Sequence, residues 1–249
     1  DVKGFWPIFK RELFAFFVTP LAWIVITAFL LLQGLHFYLL VAHFASQVDL
    51  SADSGPVQTF FGQTVMLYIP LLFVCPVLTM RLFAEERRSG TIEPLLTAPV
   101  GTVGVVLAKY AAVLVAYLAM WAPTTVYMML LNQHGDVDWP VVGAGYLAVI
   151  AIGAGYLSIG LMTSALTKSQ LSAAIMSAMA IMLLFILGIG EFIMGEGLAR
   201  EVCGHVSVWA HMNDFSRGIV DSRRLVFDLS VIVLPLFVTV RAVDAWRLE

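Results

Sequence analysis

The sequence predicts an all-α, polytopic membrane protein with six transmembrane helices, an N-terminal interfacial amphipathic helix and a short cytoplasmic helix between spans two and three. Three observations carry that expectation. Hydrophobic residues make up 60% of the chain and charged residues 12%, with a mean hydropathy of +0.91, against about 45–50% apolar and about 25% charged for an average soluble domain. Six apolar runs are long enough to cross a hydrocarbon core of about 30 Å, which takes about 20 helical residues. None of them alternates polar and apolar residues as a barrel strand would, and helices satisfy their own backbone groups in lipid.

Taken in order, the predicted spans are 21–44, 59–80, 103–131, 141–166, 170–192 and 225–243, within one transmembrane domain covering 1–249. Before the first, Phe5, Phe9, Leu13, Phe16 and Phe17 recur at roughly helical spacing around Lys10, Arg11 and Glu12. Pro20 separates this stretch from the span, so it reads as an amphipathic helix lying in the interface. A simple extension of the first span is the competing reading. The chain begins at Asp1 without an initiator Met, so a few preceding residues are expected. The first apolar run is too long for the core of a signal peptide and is expected to be retained.

Pro70, Pro76 and Pro123 are expected to kink their helices. The glycines of 143–145, 153–160 and 188–190, with Ala173, Ala174, Ser177 and Ala178, read as small groups that let helices approach closely. Trp6, Trp23, Trp121, Trp139, Trp209 and Trp246 fall near span ends or in flanking segments, where interfacial anchors belong.

Orientation follows from Lys and Arg. Six spans put both termini on one side. That side holds ten of these residues, Lys3, Lys10, Arg11, Arg81, Arg87, Arg88, Lys109, Lys168, Arg241 and Arg247, while the other holds four, Arg200, Arg217, Arg223 and Arg224. The positive-inside rule therefore places both termini, the 81–99 segment and the 167–169 turn in the cytoplasm.

Several functions are disfavoured. The net charge of −3 and the scattered Lys and Arg give no footprint for nucleic acid. Cys75 and Cys203 form neither a CxxC pair nor a disulfide framework. Ionisable groups are scarce within the spans, where an ion-coupled transporter needs them; Lys109 lies near a span end and is expected to snorkel, and His36 is the one His well inside a span. There is no GxxxxGK[ST] loop, so no nucleotide site is expected in the chain itself. Neither GxSxG, HExxH nor a pair of intramembrane Asp residues supports an intramembrane enzyme.

The densest polar stretch is 81–99, RLFAEERRSGTIEPLLTAP, lodged between two apolar spans. Each Arg, Lys or Asp at a helix centre costs about 2.5–3.5 kcal/mol in hydrocarbon, so the segment belongs in water. A short helix with one charged and one apolar face fits the pattern, with Gly90 as a turn and Pro99 as a stop. A topology signal needs only Lys and Arg and leaves Glu85, Glu86 and Glu93 unexplained. The segment therefore reads as a docking element, with a solvated loop as the alternative.

The run Glu85-Glu86-Arg87-Arg88-Ser89-Gly90-Thr91-Ile92-Glu93, followed by Leu95, Leu96, Pro99, Val100 and Lys109, resembles the signature of the ABC-2 type exporter permeases. The similarity is to the gliding-motility and nitrous-oxide-reductase-maturation branch in particular, and Phe215 to Asp221 with the basic end of the last span is similar to the same branch. The resemblance implies a membrane subunit of an ATP-driven exporter in a bacterial cytoplasmic membrane. It also implies pairing with a separate ATPase that carries ATP and Mg, a second permease subunit, and an extracytoplasmic accessory protein as a possible partner. Glu85, Glu86, Arg87, Arg88, Gly90, Thr91 and Glu93 would form the coupling helix that rests on the ATPase. The N-terminal helix would be the connecting helix, and the 195–224 loop would hold short re-entrant helices. Pro94 departs from the helix former expected there.

A second class remains in view, a membrane redox or metal-binding subunit. His36 and His43 lie seven residues apart near one end of the first span, and Cys203, His205, His211 and Asp214 cluster in one loop. These are soft and imidazole ligands, though their spacing matches no common zinc pattern.

Overall fold

A computed structural model of the chain describes residues 4–46, 55–62, 64–91, 100–194 and 197–246, apart from the side chain of residue 199. Among these residues every regular element is helical. Six helical segments are long and apolar enough to cross a membrane, so the chain is an all-α, polytopic membrane protein.

Helix α1, Phe5–Val18, turns Ile8 and Phe16 inward and leaves Lys10 and Arg11 exposed. Thr19 adopts an extended backbone (ψ 129°), and α2, Pro20–Ser46, starts on a proline, whose fixed φ and missing N–H suit a first helical position. The second span is broken where one helix was expected from residue 59. It comprises α3, Pro56–Gly62, and α4, Val65–Thr79, with Thr64 extended between them. The break has a packing cause. Phe60 and Phe61 are fully buried, and a Cβ on Gly62 would lie 2.3 Å from the Ser216 hydroxyl, so α3 is wedged against another helix rather than aligned with α4.

A short helix α5, Ala84–Ser89, follows. Then come α6, Thr102–Trp121, a 3₁₀ turn at Ala122–Thr124 and α7, Thr125–Asn132. Pro123 thus replaces α-helix by a tighter turn, whereas α4 runs on through Pro70 and Pro76. The remaining elements are α8, Trp139–Leu166, α9, Gln170–Ile193, α10, Leu198–Val206, α11, Val208–Ser216, and α12, Ser222–Trp246.

Helix α8 is the hub, packing on α12, α9, α11, α4 and α6. Its most apolar stretch is 72% buried, against 22% for α2, α9 and α12, so those three leave apolar faces uncovered by the rest of the chain. Close approach to α8 rests on three missing side chains. A Cβ on Gly145 would meet the Phe61 ring at 2.6 Å, one on Gly153 the Tyr117 ring at 2.3 Å, and one on Gly160 Thr79 Oγ1 at 2.0 Å. Ala173, Ser177 and Gly188 are the buried small residues of α9. Gly143 has open space around it and plays no packing part. Trp121 also departs from expectation. It is 2% exposed and packs edge-on to Phe29 at 4.9 Å, inside the bundle, because the third span continues past it through α7.

Candidate functional site

The described part of the 81–99 segment, residues 81–91, is built on the end of α8. The backbone N–H groups of Phe83 and Ala84 both donate to the Ser164 hydroxyl at 3.1 Å, and that hydroxyl donates to the Met80 carbonyl at 3.0 Å. The first turn of a helix has orphan donors, and here a neighbouring span satisfies two groups at its start. Gly90 closes α5 with φ 71°, in the left-handed region that glycine adopts without a Cβ penalty.

The side chains of α5 then divide. Glu86 turns inward. Its Oε1 meets Arg11 at 2.7 Å and Lys109 at 3.0 Å, while Glu12 meets Arg11 at 2.6 Å and Lys109 at 3.0 Å. Two cations and two carboxylates thus form a closed square, each cation touching both anions, across α1, α5 and α6. Lys109 has no exposed surface. It does not snorkel to water. Instead it also donates to the Leu82 carbonyl at 2.8 Å and lies 5.1 Å from the Phe83 ring centre. Burial pushes the Glu12 carboxyl up, but Lys109 and Arg11 outweigh it and hold it below its ordinary value of 4.5. Removing one member of such a cluster strands the others, typically at about 3–5 kcal/mol for a buried pair.

Arg87 points toward the other spans. It donates to the Ala165 carbonyl at 3.1 Å and stacks 4.4 Å from the Trp246 ring centre at the end of α12. Glu85 accepts from Gln170 at the start of α9 and pairs with Arg88 at 3.4 Å. What projects is the tip: the Arg88 side chain is 67% exposed, and Ser89, Gly90 and Thr91 are exposed beside it. Ser89 and Thr91 share a hydroxyl hydrogen bond at 2.9 Å. Glu93 and Pro94 lie outside the described residues. The six other predicted contact residues therefore come together in one segment, but Glu86 and Arg87 are bound within the fold while Arg88, Gly90 and Thr91 face out.

Sequence reasoning missed the partners of that segment. Glu12 and Lys109 carried the signal, the one carboxylate of the N-terminal amphipathic stretch and an isolated ammonium in an apolar span. It also passed over Asp228, which lies within the predicted span 225–243, is 6% exposed, and meets His211 Nδ1 at 3.2 Å.

The proposed metal ligands separate. His211 Nε2 bonds the His205 carbonyl, His205 Nδ1 meets the Glu201 carbonyl, Asp214 pairs with Arg224, and Cys203 Sγ lies 4.0 Å from Met194 Sδ. His36 stacks on Phe60 at 4.8 Å. Among the described residues no three His, Cys, Asp or Glu side chains converge.

Residues 39–216, more than half of the chain, match the family model described as ABC-2 family transporter protein. The chain belongs to the ABC-2 family. No curated protein matches it. As an ABC-2 transporter protein it is a membrane permease subunit, and the matched residues contain α5, Lys109 and Ser164, while Arg11 and Glu12 precede them.

Proposed function

We propose that this ABC-2 protein is the permease of an ATP-driven exporter, with hydrolysis confined to a separate ATPase subunit that binds ATP and Mg. One observation carries the reading. The exposed tip Arg88–Thr91 stands on a base bonded to α1, α6, α8, α9 and α12, so a push on the tip reaches every one of them. The tip, with Glu85 and, two residues beyond it in the sequence, Glu93, contacts the ATPase. Glu86 and Arg87 act behind it, handing displacement to α1 and α6 through the Glu12 and Lys109 square and to α12 through Trp246. Helix α1 is the interfacial connecting helix.

The whole span of 1–249 serves as one transmembrane domain in a bacterial cytoplasmic membrane, with both termini and α5 on the cytoplasmic side. Two such subunits pair, and the work is done on an exported substrate or on an extracytoplasmic partner, as in the gliding-motility and nitrous-oxide-reductase-maturation branch that the motif resembles.

The test is reconstitution with an ABC-type ATPase subunit. The chain alone should hydrolyse no ATP. Arg88→Glu should insert and express like the parent yet lose co-purification with the ATPase by at least tenfold, since truncating a charged interface group costs about 2–5 kcal/mol at about 1.4 kcal/mol per decade. Normal assembly of that variant would overturn the assignment of the tip.

A further inference from the structure

At the end of the bundle away from the termini, α9 finishes at Ile193 and α12 begins at Ser222, with α10 between them. A basin of about 310 Å³ opens there. Its charged side chains are Glu191, Glu201 and Asp221 against Arg200, Arg223 and Arg224, three of each sign. Two of them hold unused bonding capacity. Glu191 Oε2 and Arg224 Nη1 are buried and have no hydrogen-bond partner, although Arg224 Nη2 is held by Asp214 at 2.5 Å. Buried polar atoms are rarely left unpaired, and an unmet guanidinium N–H and an unmet carboxylate oxygen that line one basin without pairing with each other suit a ligand carrying both an anion and a cation.

We propose that this basin binds the headgroup of a zwitterionic phospholipid, with the phosphate on Arg224 and the ammonium on Glu191. Arginine presents a fork suited to phosphate oxygens. The balance of three against three gives no net attraction for an anionic lipid, so neutrality of the headgroup is selected. A volume near the lower end of small-molecule pockets, which run about 300–1,000 Å³, suits a headgroup rather than a whole lipid. The acyl chains have somewhere to go. On the same two helices, α9 exposes Leu183 (58%) and Ile186 (55%), and α12 exposes Leu229 (58%). Those residues are apolar and fall within the two helices long and apolar enough to cross a membrane.

The test uses the purified, delipidated full chain in detergent, with no ATPase, so it is independent of the transport reading. Dihexanoyl-phosphatidylethanolamine, dihexanoyl-phosphatidylglycerol and inorganic phosphate are titrated separately and read by native mass spectrometry. The phosphatidylethanolamine should bind at least tenfold more tightly than either of the others. Glu191→Gln should erase that preference, and Arg224→Gln should weaken binding of the zwitterionic lipid at least tenfold. Because Arg224 also holds Asp214, Glu191→Gln, which breaks no bond within the fold, is the decisive variant. Equal binding of phosphatidylglycerol or of free phosphate, or an unchanged preference in Glu191→Gln, would overturn the assignment.

Discussion

The two ends of the bundle handle charge in opposite ways. At the end bearing the termini, Arg11, Glu12, Glu86 and Lys109 form a closed square in which each side chain meets two opposite charges. At the far end no such square forms among the described residues: Glu191, Arg224 and Asp228 each keep a buried atom without a partner, as Glu86 Oε2 also does at the first end, but none of the three is bridged to two opposite charges. A closed set of strong bonds ties helices into one moving body, whereas open groups receive something from outside. The first arrangement suits transmission, and the second suits binding.

The largest effect should come from opening the square. Lys109→Met leaves two carboxylates facing each other with Arg11 alone, and should destabilise the folded protein by about 3–5 kcal/mol, read as loss of the monodisperse peak in size-exclusion chromatography and a lower Tm in detergent. Adding Glu12→Gln to it rebalances the charges and should recover part of that loss. An additive double variant would mean the square is not a unit. Next is the support beneath it. Ser164→Ala strands the Phe83 and Ala84 N–H groups, at about 1–3 kcal/mol, and amide exchange over residues 83–89 should accelerate while the rest of α8 stays protected.

The smallest effect is titration. Glu12 has a lower pKa folded than unfolded, so the native state binds its proton less readily. Its contribution is fully present above the ordinary value of 4.5 and is lost as pH falls through the lowered folded value. The parent should therefore hold its Tm through neutral and mildly acidic pH and drop only below the usual carboxylate range. Glu12→Gln should flatten that acid limb. The Asp228 and His211 pair, at the other end, should be untouched by the substitution.

Much of the fold was legible because its rule is simple. Long apolar runs must be helices in lipid, and α2, α8, α9 and α12 each extend only a few residues beyond their predicted bounds. What failed were features fixed by contacts between distant residues. The break at Thr64 depends on Gly62 meeting Ser216, and the burial of Trp121 depends on Phe29. Neither shows in local hydropathy. The 84–91 segment could be picked out by its charge density, but the direction of each side chain could not. Glu85 and Glu86 are adjacent in sequence, yet one meets Gln170 and Arg88 and the other meets Arg11 and Lys109. Lys109 was misread for a related reason: a lone cation in a span appears able to reach water until its two carboxylate partners are seen. Ser207, within the 195–224 loop, is likewise fixed by its contacts: it is fully buried and caps α11 by accepting from Ala210 N at 3.2 Å.

The most direct test of the account is the accessibility of the tip. Ser89→Cys, in a background lacking Cys75 and Cys203, is treated with an impermeant maleimide on the purified chain with and without its ATPase, with Glu201→Cys as the far-side control. Ser89 and Glu201 are both exposed, so both variants should label readily in the isolated chain. Assembly with the ATPase should slow labelling at position 89 at least tenfold and leave position 201 unchanged. A co-purifying ATPase that leaves position 89 freely reactive would contradict the claim that this segment is where the two subunits meet.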